Sequence, residues 1–196
     1  MLQTMLSIVN SQKSKDCPSD SMHEDKKLIR LAITGSVGMG YALRMGVPFK
    51  QEVIAAAEVV KQMYPEVHTL VDIGGEDSKM IFFEPGRVPD MRMNGNCAGG
   101  TGAFIDQTAT LLGVDVTEIN GLAVRAEHVY PIASRCGVFS KTDIQNLISR
   151  SVSKEDIAAS MLNAVSMQVV SALARGQEVL PQVLLCGGPF AYIPEL

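Results

Sequence analysis

Two of the four cysteines, Cys97 and Cys136, lie in glycine-rich sequence from which a thiol can face away from the fold. Cys97 belongs to the segment NGNCAGGTGAF, and Cys136 belongs to the segment SRCGVFSKTD. Neither segment contains a CxxC pair, so one chain offers two thiols and cannot complete an ordinary four-ligand metal site by itself. Two copies would supply 2 + 2 = 4 thiolates across a twofold axis, which is a complete ligand set for one iron–sulfur cluster.

The remaining cysteines and the histidines give weaker signals. Cys186 ends an apolar run and is expected to be a small buried side chain, whereas Cys17 lies in polar sequence and is interpreted as incidental. Irregular cysteine spacing argues against a disulfide framework. Zinc held by Cys97, Cys136 and two histidines remains an alternative, but the histidines show none of the usual ligand spacing. They are His23, His68 and His128.

The segment DIGGEDSK, residues 72–79, predicts a turn between two strands in which carboxylates adjoin glycines. Glycines let a backbone approach a phosphate closely, and a carboxylate can hold magnesium through water. A tight hairpin with solvated acids is the alternative. A Walker loop is excluded, because there is no GxxxxGK[ST] and a strand follows the turn. The candidate nucleotide-binding residues here are Asp72, Gly74, Gly75, Glu76 and Asp77.

Two further glycine clusters are candidate nucleotide contacts. Gly100, Thr101 and Gly102 open a predicted helix, whose free N–H groups and dipole are expected to attract an anion and to favour a thiolate at Cys97. A double glycine that follows a predicted strand could let a base or ribose lie against the backbone, although such a pair is usually a turn. This pair is Gly187 and Gly188.

Alternating strand and helix patterns must position these residues. Apolar spacing predicts amphipathic helices over residues 48–64, 102–112, 142–148 and about 154–174, with Thr101 and Ser153 as N-terminal caps. Apolar, β-branched runs predict strands over residues 28–34, 67–73, 78–83 and within 179–185. Residues 36–40 are expected to form a flexible turn. Together they predict an α/β fold.

Bulk composition excludes several classes. The chain has 196 residues, 46% of them hydrophobic, a mean hydropathy of +0.16 and a net charge of −4. It is therefore long enough to bury a core and lacks the basic surface of a nucleic-acid-binding protein. The sequence shows no apolar run of the roughly 20 residues that a membrane helix needs and no secretion signal, so we expect a cytoplasmic protein without a membrane partner.

Four segments together resemble a known family: DIGGEDSK at 72–79, NGNCAGGTGAF at 94–104, SRCGVFSKTDI at 134–144 and CGGP at 186–189. They resemble the ATP-dependent activators of 2-hydroxyacyl-CoA dehydratases and the ATPase subunits of benzoyl-CoA reductase, as does the cysteine separation, 136 − 97 = 39. The resemblance covers roughly residues 30–196. It is closest to the version found as a domain of very long activase-like proteins.

The resemblance implies an actin/hexokinase-like, ribonuclease H-like fold of two lobes that binds ATP or ADP with Mg²⁺. It implies a homodimer in which Cys97 and Cys136 of both subunits hold one [4Fe–4S] cluster. ATP binding and hydrolysis would change the angle between subunits. A low-potential electron, received from a ferredoxin or flavodoxin, would then pass to a partner dehydratase or reductase.

The chain departs from the family pattern at its start, because no first phosphate loop of the Asp-x-Gly-Ser-Thr type precedes Leu28. We therefore expect a mobile polar leader over residues 1–27, a remnant of the first lobe over 28–70 and the second lobe over 71–196. Glu76 stands where many members have Gln, which adds negative charge that magnesium or a nearby lysine must offset. The alternatives are a cluster-free nucleotide-binding regulatory module and, less favoured, a kinase.

Overall fold

A four-stranded sheet with helices on both faces forms the centre of the molecule, which confirms the predicted α/β class. The structure is a computed structural model and describes residues 31–35 and 37–196. The predicted leader, with Cys17 and His23, and the first residues of the predicted strand 28–34 lie outside the described residues. Within the described part of that strand, Ile33 forms an isolated parallel bridge with Phe49.

The strand order is β3-β2-β1-β4, with β1 and β2 at the centre. β1 pairs antiparallel with β2 and parallel with β4, and β2 pairs antiparallel with β3. In this register Asp72 lies opposite Lys79 on one side and Cys186 on the other. The strands are β1 Thr69–Ile73, β2 Ser78–Phe82, β3 Asp90–Asn94 and β4 Val183–Cys186.

Seven α-helices surround this sheet in the described part of the chain. They are α1 Gly38–Met45, α2 Glu52–Met63, α3 Gly102–Leu112, α4 Ile119–Val124, α5 Gly137–Ser149, α6 Lys154–Ala174 and α7 Gly188–Tyr192, with a short 3₁₀ turn at Val116–Glu118.

Side-chain alternation along the central strands divides the core between the two faces of the sheet. On one face α2 packs against Leu70 and Ile81. On the other face α6 packs against Val71, Met80 and Phe82. Since successive side chains of a strand point to opposite faces, both central strands are apolar throughout much of their length and are buried on both sides. A third cluster joins α3, α4, α5 and α6 beside the sheet.

Helix α6 is the central packing element of the described chain. Ser153 caps it as predicted, because its hydroxyl accepts the N–H of Asp156 at 3.1 Å. At the other end Arg92 donates to the carbonyl groups of Leu173 and Ala174. By length and composition α6 could cross a membrane, contrary to the sequence expectation, yet 61% of its apolar window is buried inside the fold, as in a core helix.

Several predicted elements differ from the observed ones. Helix α3 has the predicted bounds. The predicted flexible turn at residues 36–40 is wrong for its last three residues, because Gly38, Met39 and Gly40 form the first turn of α1, whose C-terminal cap is the left-handed Gly46. Residue 36 lies outside the described residues. Helix α5 begins at Gly137, five residues before the predicted start at Thr142. Strand β3, α4 and α7 were not predicted. The predicted lobe boundary at residues 70/71 falls inside β1, and the division into lobes remains a prediction.

Candidate functional site

The glycine turn between β1 and β2 is attached to the start of α3. Within the turn the Gly74 N–H donates to the Asp77 carbonyl at 2.8 Å. The Gly102 N–H donates to the Gly74 carbonyl at 2.9 Å, and the Ala103 N–H donates to the Gly75 carbonyl at 2.7 Å. The turn and the helix N-terminus therefore form one hydrogen-bonded unit.

This arrangement corrects the expectation of free N–H groups at the start of α3. The N–H groups of Gly102 and Ala103 are engaged by the turn, and the Thr101 N–H donates to the Ala98 carbonyl at 3.1 Å. Thr101 is the N-terminal cap residue, but its hydroxyl donates to Ala98 and makes no capping hydrogen bond. Gly100 is buried against α6. The start of α3 can therefore attract an anion through the helix dipole, but these N–H groups are already engaged and cannot bind it.

An open cleft of about 580 Å³ lies where the glycine turn, α3 and α7 meet. Three of the predicted nucleotide contacts line it: Gly75, Gly102 and Gly188. A Cβ added at Gly75 or Gly188 would meet no atom within 4 Å, so both positions leave open space for a ligand. The volume is within the usual range for small-molecule sites. The sequence analysis missed the other lining residues, which are Ile105, Asp106, Val116, Thr117, Pro189, Tyr192 and Ile193.

Gly187 directly precedes the cleft-lining residue Gly188 and packs against the end of β1. Its φ of +103° is strained for a side-chain-bearing residue, and a Cβ there would overlap the Ile73 carbonyl oxygen. Only glycine allows the end of β4 to lie this close to β1. The close approach places Gly188 and the start of α7 at the cleft, whereas Gly187 itself does not line it.

Lys79 is a buried cation surrounded by three carboxylates. Its Nζ lies 3.0 Å from Asp77, 3.2 Å from Glu52 and 3.6 Å from Asp72. Burial alone would lower the pKa of Lys79, but the hydrogen bonds to Asp77 and Glu52 and the charge of Asp72 hold it above its usual value. This end of the sheet therefore carries three acidic side chains around one basic side chain, and none of the four lines the cleft. Glu76 is exposed on the turn.

The two candidate cluster ligands lie in loops that contact each other. Cys136 is the N-terminal cap residue of α5, and Cys97 lies five residues before α3. A Cβ added at Gly137 would lie 3.2 Å from the Gly99 backbone nitrogen and 3.8 Å from the Cys97 sulfur. Both thiols are free and half-buried. The structure therefore brings together two segments that are 39 residues apart in the sequence.

The first turns of α5 fix the Cys136 loop and carry an apolar surface. Ser140 donates from its hydroxyl to the carbonyl groups of Ala133 and Cys136, and the Asp143 carboxylate accepts the Ala133 N–H at 2.8 Å. Val138 and Phe139, directly after the Cys136–Gly137 step, are 72% and 66% exposed. The thiol thus adjoins an apolar surface that no part of the described chain covers.

Cys186 behaves differently from this pair. It packs at the edge of the core on the α2 face of the sheet, as expected for a small apolar side chain. Burial, together with the charge of Asp72 and a hydrogen bond to it, raises the pKa of the Cys186 thiol to about 11. Cys186 is therefore a protonated thiol at neutral pH.

The predicted zinc alternative gains no support from the described part of the chain. Among residues 31–35 and 37–196, no group of three or more His, Cys, Asp or Glu could hold a metal ion. The imidazole of His128 lies 3.8 Å from the carboxylate of Asp156, in the first turn of α6. The Cys97–Cys136 pair offers at most half of a four-ligand site in one chain.

Gln168 is the residue of this region that the sequence analysis missed. It lies on the buried side of α6 and is 4% exposed. Its Nε2 donates to the Cys97 sulfur at 3.9 Å, and a Cβ added at Gly99 would overlap its amide group. The available signal was a polar residue at helical spacing among the buried apolar residues of α6, three positions after Val165 and five before Leu173.

One known protein family matches most of the chain. A sequence model described as the BadF/BadG/BcrA/BcrD ATPase family matches residues 19–193. The chain belongs to this family. Members similar to it include the (R)-2-hydroxyglutaryl-CoA dehydratase activating ATPase of Acidaminococcus fermentans, 33% identical over 160 residues, which are 81% of this chain and 61% of that protein. The 2-hydroxyisocaproyl-CoA dehydratase activator of Clostridioides difficile is 33% identical over 138 residues, 70% of this chain and 52% of that protein.

Solved structures of the family share the fold. Component A of the A. fermentans (R)-2-hydroxyglutaryl-CoA dehydratase matches with a TM-score of 0.72 at 30% identity, over 81% of this chain and 60% of that one. The Clostridium difficile 2-hydroxyisocaproyl-CoA dehydratase activator with bound ADPNP matches with a TM-score of 0.69 at 30% identity, over 83% and 60%. The actin/hexokinase-like fold implied by the sequence is thereby confirmed. The chain spans about half to three fifths of the length of these relatives.

Proposed function

We propose that this chain is the nucleotide-responsive, cluster-carrying part of a dehydratase or reductase activator. It would bind ATP or ADP with Mg²⁺ in the cleft at the glycine turn. Two copies would share one [4Fe–4S] cluster through Cys97 and Cys136. The cluster would supply a single low-potential electron to a 2-hydroxyacyl-CoA dehydratase or a benzoyl-CoA reductase-type protein, after reduction by a ferredoxin or flavodoxin in the cytoplasm.

The observation that carries this proposal is the contact between the two cysteine loops. The two loops are 39 positions apart in the sequence, yet Gly137, the residue after Cys136, packs against Gly99 and the Cys97 sulfur, and both thiols are half-buried and free. Two thiolates, one of them at the N-terminal cap of α5, would fit an iron–sulfur cluster, because the helix dipole favours negative charge at Cys136 and cysteine thiolates are the usual cluster ligands. The remaining two ligands must come from another chain, and the exposed Val138 and Phe139 offer an apolar contact for a second copy.

The cleft supports the nucleotide half of the proposal. Gly75 and Gly188 leave room for a ligand against the backbone, and Gly102 lies between them at the start of α3. Asp106 and Thr117 offer polar groups to a ribose, and Tyr192, which is 83% exposed, offers an aromatic face to a base. A relative of similar fold has been solved with ADPNP bound.

The acidic surroundings of Lys79 support a role for magnesium with the nucleotide. Asp72 and Asp77 lie beneath the turn, and together with Glu52 they leave excess negative charge beside Lys79. Phosphates would add to this charge, and a divalent cation bound between phosphate oxygens and water-bridged carboxylates would offset it. Asp72 and Asp77 are the residues that would hold this ion, whereas Glu76 would lie at the solvent side.

Helix α3 connects the two halves of the site. Its first N–H groups donate to the Gly74 and Gly75 carbonyls of the phosphate-binding turn, while the residues just before it carry Cys97. A change in the turn on nucleotide binding would therefore reach the thiol loop through hydrogen bonds and a rigid helix start. Coupling requires that ATP bind two arrangements of the dimer with different affinity.

Iron and acid-labile sulfide analysis of the anaerobically purified protein tests the proposal. We expect about four of each per dimer, as one [4Fe–4S] cluster requires. Cys97→Ala and Cys136→Ala should each abolish both, because each removes two of the four shared ligands. The matched control is Cys186→Ala, which should retain iron and sulfide because Cys186 packs on the α2 face of the sheet and belongs to neither cysteine loop.

The opposite pattern would contradict the proposal. Iron retained in both cysteine variants would show that other groups bind it. A protein that binds ATP but takes up no iron under reconstitution would instead be a cluster-free nucleotide-binding module.

A further inference from the structure

The side chain of Gln168 is a buried amide in an apolar environment. Its neighbours on α6, Val165, Val169 and Leu173, are all apolar and buried. A buried amide without a partner is costly, so its orientation is set by the groups that can accept or donate hydrogen bonds. The acceptor found within reach of its Nε2 is the Cys97 sulfur, at 3.9 Å.

The Cys97 loop is shaped to receive this amide. Gly99 packs directly on the Gln168 side chain, and Gly100, at a φ of +82°, packs against Val169. A side chain at position 99 would overlap the amide group. The two glycines therefore serve the fit between the Cys97 loop and α6, and neither of them lines the nucleotide cleft.

We propose that Gln168 is a positioning residue for the thiol site: its amide N–H donates to the Cys97 sulfur, orients that ligand and stabilises negative charge on it. The redox consequence rests on the proposed function, whereas the contact itself does not. Reduction adds one negative charge to a cluster and its thiolate ligands, and a hydrogen bond to a ligand sulfur stabilises the more negative state. Each subunit of a dimer would contribute one such bond.

The contact is tested first in the iron-free protein, by NMR of the ¹⁵N-labelled side-chain amides. The Gln168 signals are assigned by their loss in Gln168→Met. Cys97→Ala should shift the Gln168 amide resonances, because it removes the acceptor, whereas Cys136→Ala should leave them close to their original positions. Equal shifts in both variants, or none in Cys97→Ala, would overturn the proposal.

The redox consequence is tested by a potentiometric titration of the reconstituted dimer, followed by EPR. Gln168→Met keeps the side-chain length but has no N–H, so the midpoint potential should become more negative. The oxidised-to-reduced ratio at a fixed potential should rise severalfold, because only the difference in hydrogen-bond strength between the reduced and the oxidised state contributes. An unchanged midpoint in Gln168→Met would overturn the proposed role.

The matched control is Ser166→Ala on the same helix. Its hydroxyl donates to the carbonyl groups of Leu162 and Leu196 and does not face Cys97, so this variant should keep the wild-type potential. The same shift in Ser166→Ala would indicate a general loosening of α6 and would overturn the specific role of Gln168. A protein that takes up no iron but keeps the Cys97-dependent amide shift would refute the proposed function and leave the contact standing.

Discussion

Asp72 of β1 lies between one residue of β2 and one residue of β4. It lies on β1 between Lys79 of β2 and Cys186 of β4, so one carboxylate pairs with a buried ammonium and accepts a hydrogen bond from a half-buried thiol. The charge of Asp72 adds to the hydrogen bonds with Asp77 and Glu52 that raise the pKa of Lys79, and it adds to the burial that raises the pKa of Cys186. In the described part of the chain, Cys186 therefore differs from the other two cysteines: it lies at the end of β4, whereas Cys97 and Cys136 lie in the loops before α3 and α5.

The Cys186 thiol should react slowly with alkylating reagents in the folded protein. Its thiol pKa of about 11 lies two units above the ordinary value of 9.0, so at pH 8 it should react with iodoacetamide about a hundredfold more slowly in the folded protein than in urea. Mass spectrometry of the alkylated peptides measures both rates. Burial is the largest cause and Asp72 the second, so Asp72→Asn should narrow the difference without removing it. Equal rates in folded and unfolded protein would contradict this account.

Residue types are enough to select candidate site residues, but they do not identify the partners that those residues contact. Cys97 and Cys136 could be selected from the sequence, because glycines and polar neighbours make a core role poor for them. The partners of Lys79 and Cys97 could not be selected. Glu52 is 27 positions from Lys79 and Gln168 is 71 positions from Cys97, and no local pattern encodes contacts between distant segments.

At the scale of elements, Asp156 anchors the loop between α4 and α5 to the start of α6. Its carboxylate accepts the backbone N–H groups of Glu127 at 2.9 Å and His128 at 3.0 Å. The hydrogen bond from His128 holds the pKa of Asp156 below its usual 3.8, although burial acts in the opposite direction. A carboxyl group with a lowered folded-state pKa stabilises the fold above its unfolded-state pKa, and the contribution is lost as pH falls through the folded-state value.

Asp156→Asn should therefore lower the urea midpoint of unfolding at pH 7. The difference from wild type should begin to shrink as the pH falls below the ordinary value of 3.8, where the carboxyl group of the unfolded chain becomes protonated. It should disappear only at still lower pH, where the carboxyl group of the folded protein becomes protonated. Urea titrations between pH 3 and 7 measure this. The control is Gln107→Ala on the exposed side of α3, which removes no ionisable group and should follow the wild-type pH dependence. A difference that is constant across this range would show that the charge of Asp156 is not responsible.

Elements with strong local signals could be predicted, and those without them could not. Helix α3 has a cap residue, an apolar stripe and a left-handed Gly113 at its end, and its predicted bounds agree with the structure. Helix α1 contains two glycines, each of which costs a helix about 1 kcal/mol, and its helical state depends on burial of Ala42. The early start of α5 depends on the Ser140 and Asp143 contacts with Ala133, which are not visible in a hydrophobic pattern.

At the scale of the whole molecule, the nucleotide cleft and the thiol site lie at opposite sides of one hydrogen-bonded unit. The glycine turn holds the start of α3, the Cys97 loop precedes that start, and the Cys136 loop packs on Gly99. Few contacts would therefore separate a phosphate bound at the proposed nucleotide site from the sulfurs of the proposed cluster ligands. The central claim is that nucleotide state changes the environment of the shared cluster.

The rate at which an iron chelator extracts the metal from the reconstituted dimer, with and without ADPNP, tests this claim most directly. We predict a severalfold change on adding ADPNP, and no change in Gly188→Leu, which places a side chain in the cleft from a position where an added Cβ meets no atom within 4 Å. The matched control, Gly40→Leu on α1, also adds a side chain in open space and should respond like wild type. Identical extraction rates with and without ADPNP, in wild-type protein shown to bind it, would contradict the account.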